Sequence, residues 1–170
     1  MSSKQFLLQM AGMPGSGKSA LARLIGRSTK AIVLDKDVLK TAALEAGADE
    51  KLASGIAYDT FFALASHLLS QGWTVVLDSP SFWETIPKRG SELAAERHVP
   101  YFFIECYCDD DLELARRLRE RTPMASQPGV EVLDESWETI PPPDAHLRVD
   151  TTQPIDHSLS ISLDYLGRSE

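Results

Sequence analysis

The sequence predicts an α/β fold with a mainly parallel five-stranded sheet and helices on both of its faces. Strands are indicated at residues 6–10, 31–34, 74–77, 101–107 and around 146–149. The first four are apolar almost throughout, which is typical of strands that are covered on both faces. Helical patterns separate the strands, and such alternation favours right-handed crossovers between parallel strands.

The helices are predicted from apolar periodicity and from capping signals. They cover residues 18–27, 38–46, 52–70, 82–97 and 111–121. The third stops before Gly72, a residue suited to a C-terminal cap, and the fifth opens with Asp110 and Glu113 at capping-box spacing. Residues 156–166 are expected to form a closing helix or an extended segment.

One stretch breaks the alternation of strands and helices. Residues 121–143 are rich in proline and charge and are long for a plain connection. Long irregular loops in compact domains are often lids over a binding site. We therefore expect one domain, residues 1–170, in which residues 122–143 form a short lid.

Composition and charge limit the class of protein. Hydrophobic residues make up 43% of the 170 residues, and the formal net charge is −8 with a pI near 5.0. An acidic chain disfavours long nucleic acid as a partner and favours small molecules. The sequence shows neither an apolar run of about 20 residues nor a secretion signal, and Cys106 and Cys108 are expected to be buried and reduced. These features indicate a cytoplasmic protein without a membrane span.

A phosphate-binding loop is predicted where the first strand meets the first helix. The stretch GMPGSGKS fits the pattern G-x-x-x-x-G-K-[ST], with a strand before it and a helix after it. Its glycines let successive N–H groups surround phosphate oxygens, Lys18 reaches the β- and γ-phosphates, and the Ser19 hydroxyl completes a Mg²⁺ shell. A glycine-rich turn that only joins strand to helix is the alternative. The expected nucleotide-binding residues are Gly12, Pro14, Gly15, Ser16, Gly17, Lys18, Ser19 and Ala20, and the expected cofactors are ATP and Mg²⁺.

Two carboxylates follow the second strand in the stretch LDKDVLK, residues 34–40. The carboxyl ends of parallel strands are where open α/β sheets bind ligands. Asp37 is therefore a candidate base for an attacking hydroxyl, with Lys40 beside the substrate and Asp35 as a candidate metal ligand. The alternative is that either aspartate only caps the helix that follows.

Asp78 ends the third strand, WTVVLDSP, in the manner of the acidic residue that sits near Mg²⁺ in phosphate-loop proteins. We predict that it contacts metal and substrate, with Ser79 and Arg89 on the same rim and Tyr58 contributed by the helix at 52–70. A strand-end turn aspartate is the alternative interpretation of Asp78.

The stretch LARRLRERT, residues 114–122, places two arginines four residues apart. On a helix, Arg117 and Arg121 lie about 40° from each other and can clamp a transferring phosphoryl group together. The alternative is a solvated basic helix whose arginines pair with Glu113 and Glu120.

These four segments together resemble the branch of P-loop kinases that contains chloramphenicol phosphotransferase, zeta toxins, gluconate kinase and polynucleotide 5′-kinase domains. The chain thus resembles an AAA_33-like ATP-binding protein. The resemblance implies a P-loop NTPase fold, in which the aspartate matching Asp37 activates the acceptor and the arginine helix contacts ATP from the lid. It also implies that residues 149–154 pass near the adenine. Members often carry arginine where this chain has Lys40, and lysine lacks the bidentate phosphate contact of arginine.

The expected function is ATP- and Mg²⁺-dependent phosphorylation of a hydroxyl on a small molecule such as an antibiotic, a sugar or a nucleoside. A polynucleotide 5′-hydroxyl kinase is the first alternative, with Lys36, Lys40, Lys88 and Arg89 as its only obvious basic groove. A regulatory nucleotide-binding protein is the second, although the chain has no N-K-x-D guanine motif. A nucleotide kinase is a third, but phosphate-bearing acceptors prefer arginine where Asp37 lies. The sequence predicts neither the acceptor nor the oligomeric state.

Overall fold

The computed structural model describes residues 5–81, 83–127, 143 and 145–168, and it confirms the predicted α/β fold. Its five strands form one sheet, in which every neighbouring pair is parallel and the spatial order is β2-β3-β1-β4-β5. The strands are Leu7–Ala11 (β1), Ile32–Asp35 (β2), Val75–Asp78 (β3), Tyr101–Tyr107 (β4) and Leu147–Asp150 (β5).

Six helices among the described residues connect and flank the strands. They are Lys18–Thr29 (α1), Lys36–Glu45 (α2), Glu50–Ser70 (α3), Thr85–Glu96 (α4), Asp111–Glu120 (α5) and Ile155–Tyr165 (α6). The closing segment, which the sequence left open between helix and extended chain, is therefore helical.

The core lies on both faces of the sheet, as the continuous apolar strands predict. On one face Leu8 and Met10 of β1 pack with side chains of α1 and α6, and on the other Leu7 packs with side chains of α3 and α4. All five residues of β1 are buried. Because β1 is the central strand, the loop that follows it opens at the middle of the carboxyl edge of the sheet.

Three helix starts differ from the sequence prediction, two of them because side chains cap them. Asp35 accepts a hydrogen bond from the backbone N–H of Asp37 (2.8 Å), so α2 begins at Lys36 instead of residue 38. Asp49 accepts one from Leu52 N–H (2.9 Å), so α3 begins at Glu50 instead of residue 52. The helix predicted from residue 82 begins at Thr85, and Phe82 lies outside the described residues.

The helix predicted over residues 111–121 ends one residue earlier, at Glu120. Arg121 is its C-cap: its ψ of 148° turns the following chain away, but its φ of −71° is helical and its N–H donates to the carbonyl of Arg117 (3.2 Å). Arg121 therefore keeps its place one turn after Arg117. Of the predicted lid, residues 122–127 and 143 are described, and the remainder of that prediction lies outside the described residues.

Helix α3 is the one described helix that is long and apolar enough to cross a membrane by length and composition. The sequence analysis did not expect such a segment. In the structure Ala57, Phe61 and Ala65 of this helix are fully buried inside the fold, and Phe61 and Ala65 belong to the cluster against the sheet. Part of the apolar surface of α3 thus packs in the core.

Candidate active site

A cavity of about 980 Å³ lies at the carboxyl edge of the sheet. It is lined by the glycine loop, the first turns of α1 and α2, the end of α5, the segment after α5 and the β5–α6 connection. Most of the predicted site residues share this one wall: Pro14, Gly15, Gly17, Lys18, Ser19, Ala20, Asp35, Asp37, Lys40, Arg117 and Arg121.

The glycine loop has a backbone that only glycine adopts easily. Gly15 and Gly17 have φ values of 84° and 80°, in the left-handed region where a side chain is strained. A Cβ at Gly17 would also lie 3.3 Å from the side chain of Thr151. Lys18 follows as the first residue of α1 and is almost wholly buried. The loop and the N-terminus of α1 thus have the form of a phosphate cradle.

Ser16 and Gly12 sit elsewhere in the same loop. They line a smaller cavity of about 160 Å³ between the loop and β4. The Oγ of Ser16 is buried without a hydrogen-bond partner among the described residues. These two predicted residues therefore shape the loop, but they are not on the wall of the larger cavity.

Two carboxylates lie side by side where β2 and β3 end. Asp35 and Asp78 are partners in the parallel register, and Asp78 is only 3% exposed. The Oδ1 of Asp78 has no hydrogen-bond partner among the described residues. Burial, and then the negative charge of Asp78, raise the pKa of Asp35 above its ordinary value. The charge of Lys18 offsets this rise only in part, and a divalent cation between the carboxylates would neutralise the pair further.

This pair fits Mg²⁺. Among the described residues no three His, Cys, Asp or Glu side chains converge as a ready metal site. Mg²⁺ at phosphates needs only one or two carboxylates, because water and phosphate oxygens fill the other positions. Asp35 and the Ser19 hydroxyl on the cavity wall, with Asp78 beside Asp35 in the sheet register, are therefore the residues suited to hold it.

Asp37 is held by partners from both sides. The Nζ of Lys36 lies 2.6 Å from its Oδ1, and the Nε2 of Gln127 donates to its Oδ2 at 3.2 Å. Burial raises the pKa of Asp37, but the charge and hydrogen bond of Lys36, the charge of Lys18 and the hydrogen bond of Gln127 outweigh it. The net pKa therefore lies below the ordinary value, and Asp37 is an oriented carboxylate at neutral pH.

The segment after α5 crosses the cavity to reach α2. Ser126 donates from its Oγ to the backbone carbonyl of Asp37 (2.9 Å) and accepts from the Oγ1 of Thr41 (2.9 Å). Its backbone N–H also donates to Thr41 Oγ1 at 3.3 Å. The described part of the predicted lid is thus attached to the side of the cavity where Asp37 lies.

Arg117 is committed to contacts within the protein. Its Nη1 donates to Thr151 Oγ1 (2.9 Å) and to the carbonyl of Gly15 (3.3 Å), and its Nη2 donates to the carbonyl of Thr151 (2.7 Å). Its Nε donates to Glu113 at 2.7 Å. Arg117 therefore ties α5 to the glycine loop and to the β5–α6 connection, which differs from the predicted clamp on a transferring group.

The alternative interpretation of the arginine helix, pairing with Glu113 and Glu120, holds for Arg116 and in part for Arg117. Arg116 donates to Glu113 at 2.7 Å and also pairs with Glu120. It lines the cavity together with Arg117 and Arg121. The basic character of α5 is therefore partly neutralised by its own glutamates and partly directed to the cavity.

Four predicted substrate contacts do not line the cavity: Tyr58, Asp78, Ser79 and Arg89. Ser79 is 1% exposed, and its Oγ is hydrogen-bonded to the Oγ of Ser81 (2.9 Å). Arg89 pairs with Asp59 at 3.2 Å and lies over the ring of Phe62. Tyr58 does not line the cavity but contacts Trp83, which does. Burial, and then the charge of Asp37, raise the pKa of Tyr58, and its hydroxyl is buried without a described partner.

Several residues that line this cavity were not among the predicted site residues, including Lys36, Trp83, Gln127 and Thr151. Thr151 also connects the cavity to Arg117. For Lys36 the available signal was its place between two functional aspartates. For Thr151 it was the resemblance of residues 149–154 to a segment near the adenine, and three residues of that segment do line the cavity.

The parallel sheet, the glycine loop and the two carboxylates at strand ends define a P-loop NTPase. The family model AAA_33, described as an AAA domain, matches residues 7–143, and the chain belongs to this family. No curated protein matches the chain in sequence.

Solved structures share the fold over nearly the whole chain. A protein from Chloroflexus aurantiacus J-10-fl, described as a candidate kinase, has a TM-score of 0.75 at 18% identity, with 100% of each chain covered. The APS kinase of Mycobacterium tuberculosis in complex with AMPPNP and APS has a TM-score of 0.67 at 19% identity, covering 96% of this chain and 98% of that one. A gluconokinase from Sinorhizobium meliloti 1021 has a TM-score of 0.67 at 21% identity, covering 99% and 94%. The chain thus has the fold of P-loop kinases.

Proposed function

We propose that the chain is an ATP-dependent kinase that transfers the γ-phosphoryl group to a hydroxyl of a small molecule. The observation that carries the proposal is that Lys18 of the phosphate loop and the carboxylate of Asp37 share one cavity wall. One group suits the phosphates of the nucleotide and the other suits the acceptor.

The transfer needs little covalent chemistry from the protein. The acceptor oxygen forms a bond to the γ-phosphorus, the bond from that phosphorus to the bridging oxygen breaks, and ADP leaves with the electron pair. The acceptor proton passes to Asp37, which is ionised because its pKa is lowered. Since the transition state of such transfers is loose, orientation of the hydroxyl matters more than the strength of the base.

Positive charge for the phosphates comes mainly from the loop side of the cavity. Lys18 is nearly buried at the N-terminus of α1, where the helix dipole also favours anions. Ser19, Asp35 and Asp78 would hold Mg²⁺, which neutralises phosphate charge during transfer. Arg116 and Arg121 line the same cavity and extend the positive surface.

The relatives and the charge support a small acceptor. Structural neighbours named as a gluconokinase and as an APS kinase carry the same fold, and the second was solved with AMPPNP, an ATP analogue. The basic groove that a polynucleotide 5′-kinase needs is not assembled among the described residues, because Lys88 faces Glu92 (3.9 Å) and Arg89 pairs with Asp59. The two free, buried cysteines and the use of ATP suit the cytoplasm.

ADP release from Mg-ATP, measured against a panel of hydroxyl compounds, tests this proposal. The panel contains aminoglycosides, chloramphenicol-like diols, sugars, nucleosides and 5′-hydroxyl oligonucleotides. We expect one small acceptor to raise ADP release well above background hydrolysis, and we expect Asp37→Asn to abolish that increment. Asp59→Asn, an exposed carboxylate outside the cavity, is the matched control and should behave like the wild type. If no acceptor raises the rate and Asp37→Asn hydrolyses ATP like the wild type, the kinase proposal fails.

A further inference from the structure

Trp83 lies on the wall of the active-site cavity with 57% of its surface exposed. It belongs to the connection between β3 and α4. Single exposed apolar side chains are common on protein surfaces. A large aromatic ring on the wall of a binding cavity, however, is the kind of group that ligand pockets use for contact area.

The indole is held in place by the protein. Its ring meets the ring of Tyr58 edge-to-face, with centroids 6.2 Å apart and planes at 87°. Tyr58 meets Phe61 in the same way at 6.3 Å and 88°, and Phe61 is fully buried in the core. Because these edge-to-face contacts fix the indole before any ligand arrives, a ligand that binds it does not have to order the Trp83 side chain.

The same series of side-chain contacts continues from Tyr58 to Asp37. The Nζ of Lys36 lies 5.8 Å from the centroid of the Tyr58 ring and 2.6 Å from Oδ1 of Asp37. A continuous series of contacts, Trp83–Tyr58–Lys36–Asp37, therefore joins the exposed aromatic ring to the carboxylate that receives the hydroxyl. The ring and the carboxylate are held at a set separation on one wall.

The cations on this side of the cavity are already paired. Lys36 is bound to Asp37, and Lys40 lies 2.6 Å from Glu50. The other cations on the cavity wall come from the glycine loop, α1 and the region of α5: Lys18, Arg23, Arg116, Arg117 and Arg121. Among the described residues, the side with Trp83 thus offers an aromatic surface and hydrogen bonds but no net positive charge for a second anion.

We propose that Trp83 is the stacking surface for the acceptor, and that the acceptor is an uncharged alcohol built on a ring, either a nucleoside or a cyclic sugar. This inference rests on the proposed kinase function and narrows its acceptor. A nucleoside presents the face of a base to the indole, and a cyclic sugar presents an apolar C–H face; both need the same aromatic surface.

The test compares matched acceptors with the full chain and Mg-ATP, and phosphorylated products are identified by mass spectrometry. The arms are adenosine and uridine, methyl glucoside and methyl galactoside, the open-chain sorbitol and ribitol, and the anionic glucuronate and nucleoside 5′-monophosphates. We expect kcat/KM for one ring class to exceed that for the open-chain and anionic compounds at least ten-fold. The arm that reacts decides between base and sugar.

Variants assign the preference to Trp83. Trp83→Ala should raise the acceptor KM roughly ten-fold, the loss expected for one stacking contact, and should leave the ATP KM unchanged. Trp83→Phe, which keeps a ring, should recover most of the affinity. Trp73→Ala is the matched control, because Trp73 is 49% exposed and lies outside the cavity.

Preference for an open-chain or anionic acceptor would overturn the inference while the kinase proposal stands. The same holds if Trp83→Ala behaves like Trp73→Ala. If no compound is phosphorylated, the kinase proposal fails, and intrinsic fluorescence then decides the inference separately. Adding a nucleoside or a glycoside should change the emission of the wild type and of Trp73→Phe but not of Trp83→Phe; no change in the wild type would contradict the stacking surface.

Discussion

The ammonium of Lys36 lies 2.6 Å from Oδ1 of Asp37, and both side chains are largely buried. Gln127 donates to the other carboxylate oxygen at 3.2 Å from a position 90 residues further along the chain. The carboxylate that we propose to receive the acceptor hydroxyl is therefore oriented through both of its oxygens. Orientation of this kind is where most of the rate of a phosphoryl transfer comes from.

Replacing Lys36 should slow turnover more than it weakens nucleotide binding. In Lys36→Met the carboxylate loses its closest partner and moves, and a displacement of about 1 Å can lower a rate about 100-fold. We expect kcat to fall between about ten- and 100-fold, with the ATP KM changed little. Lys88→Met, on the exposed face of α4, serves as the control. Wild-type kcat in Lys36→Met would show that the ion pair does not orient Asp37.

Arg117 and Thr151 should act as one unit in nucleotide binding. Arg117 makes two hydrogen bonds to Thr151 and one to Gly15 of the glycine loop. Arg117→Met and Thr151→Val should each weaken ATP binding, and the double variant should be less impaired than the sum of the two. A coupling energy between about 0.5 and 3 kcal/mol is typical of residues in one network. Isothermal titration of the four proteins with an ATP analogue measures it, and strict additivity would indicate that Arg117 acts independently of Thr151.

Two helical glycines should respond in opposite ways to alanine. A Cβ at Gly90 in α4 would lie 2.0 Å from the Oε1 of Gln9, which is buried and accepts a hydrogen bond from Tyr101. A Cβ at Gly55 in α3 would meet nothing within 4 Å. Gly90→Ala should therefore lower the free energy of unfolding, by about 1–3 kcal/mol if the buried hydrogen bond breaks. Gly55→Ala should raise it by up to about 1 kcal/mol through helix propensity. Urea titration measures both, and equal effects would contradict the packing described around Gln9.

The contribution of Glu113 to stability should depend on pH in one direction. Hydrogen bonds from Arg116 and then Arg117 lower the pKa of Glu113 from 4.5 to about 2. Because the folded-state pKa lies below the unfolded one, the stabilisation is present above about pH 4.5 and is lost as the pH falls towards 2. The effect is small, since the group is exposed to solvent. Wild type and Glu113→Gln should differ by a constant free energy of unfolding between pH 5 and 8 and converge at lower pH; a gap that stays the same down to pH 2.5 would contradict the pairing.

Sequence patterns were sufficient for the fold and for the local part of the site. Strands buried on both faces show as continuous apolar runs, and the glycine loop has a motif whose residues are neighbours in the chain. The positions of Asp35 and Asp78 were also predictable, because a carboxylate that ends a parallel strand lies at the ligand-binding edge of the sheet, and Asp37 follows Asp35 by two residues.

Contacts between distant segments were beyond the sequence. Nothing in the order of residues indicates that Gln127 reaches Asp37, or that Arg117 binds Thr151 and Gly15. Helix ends were equally uncertain, and α5 stops at Glu120, one residue before its predicted end. The predicted substrate contact of Ser79 is wrong for a further reason, since its buried hydroxyl is hydrogen-bonded to the hydroxyl of Ser81.

The most direct test of the central claim is the fate of the γ-phosphoryl group in Asp37→Asn. With γ-labelled ATP and the best acceptor from the panel, the wild type should place most of the label on the acceptor hydroxyl. Asp37→Asn should bind ATP with unchanged affinity and transfer label to the acceptor at least 100-fold more slowly. Transfer at the wild-type rate in this variant would show that Asp37 only belongs to the first turn of α2, and the proposed mechanism would be wrong.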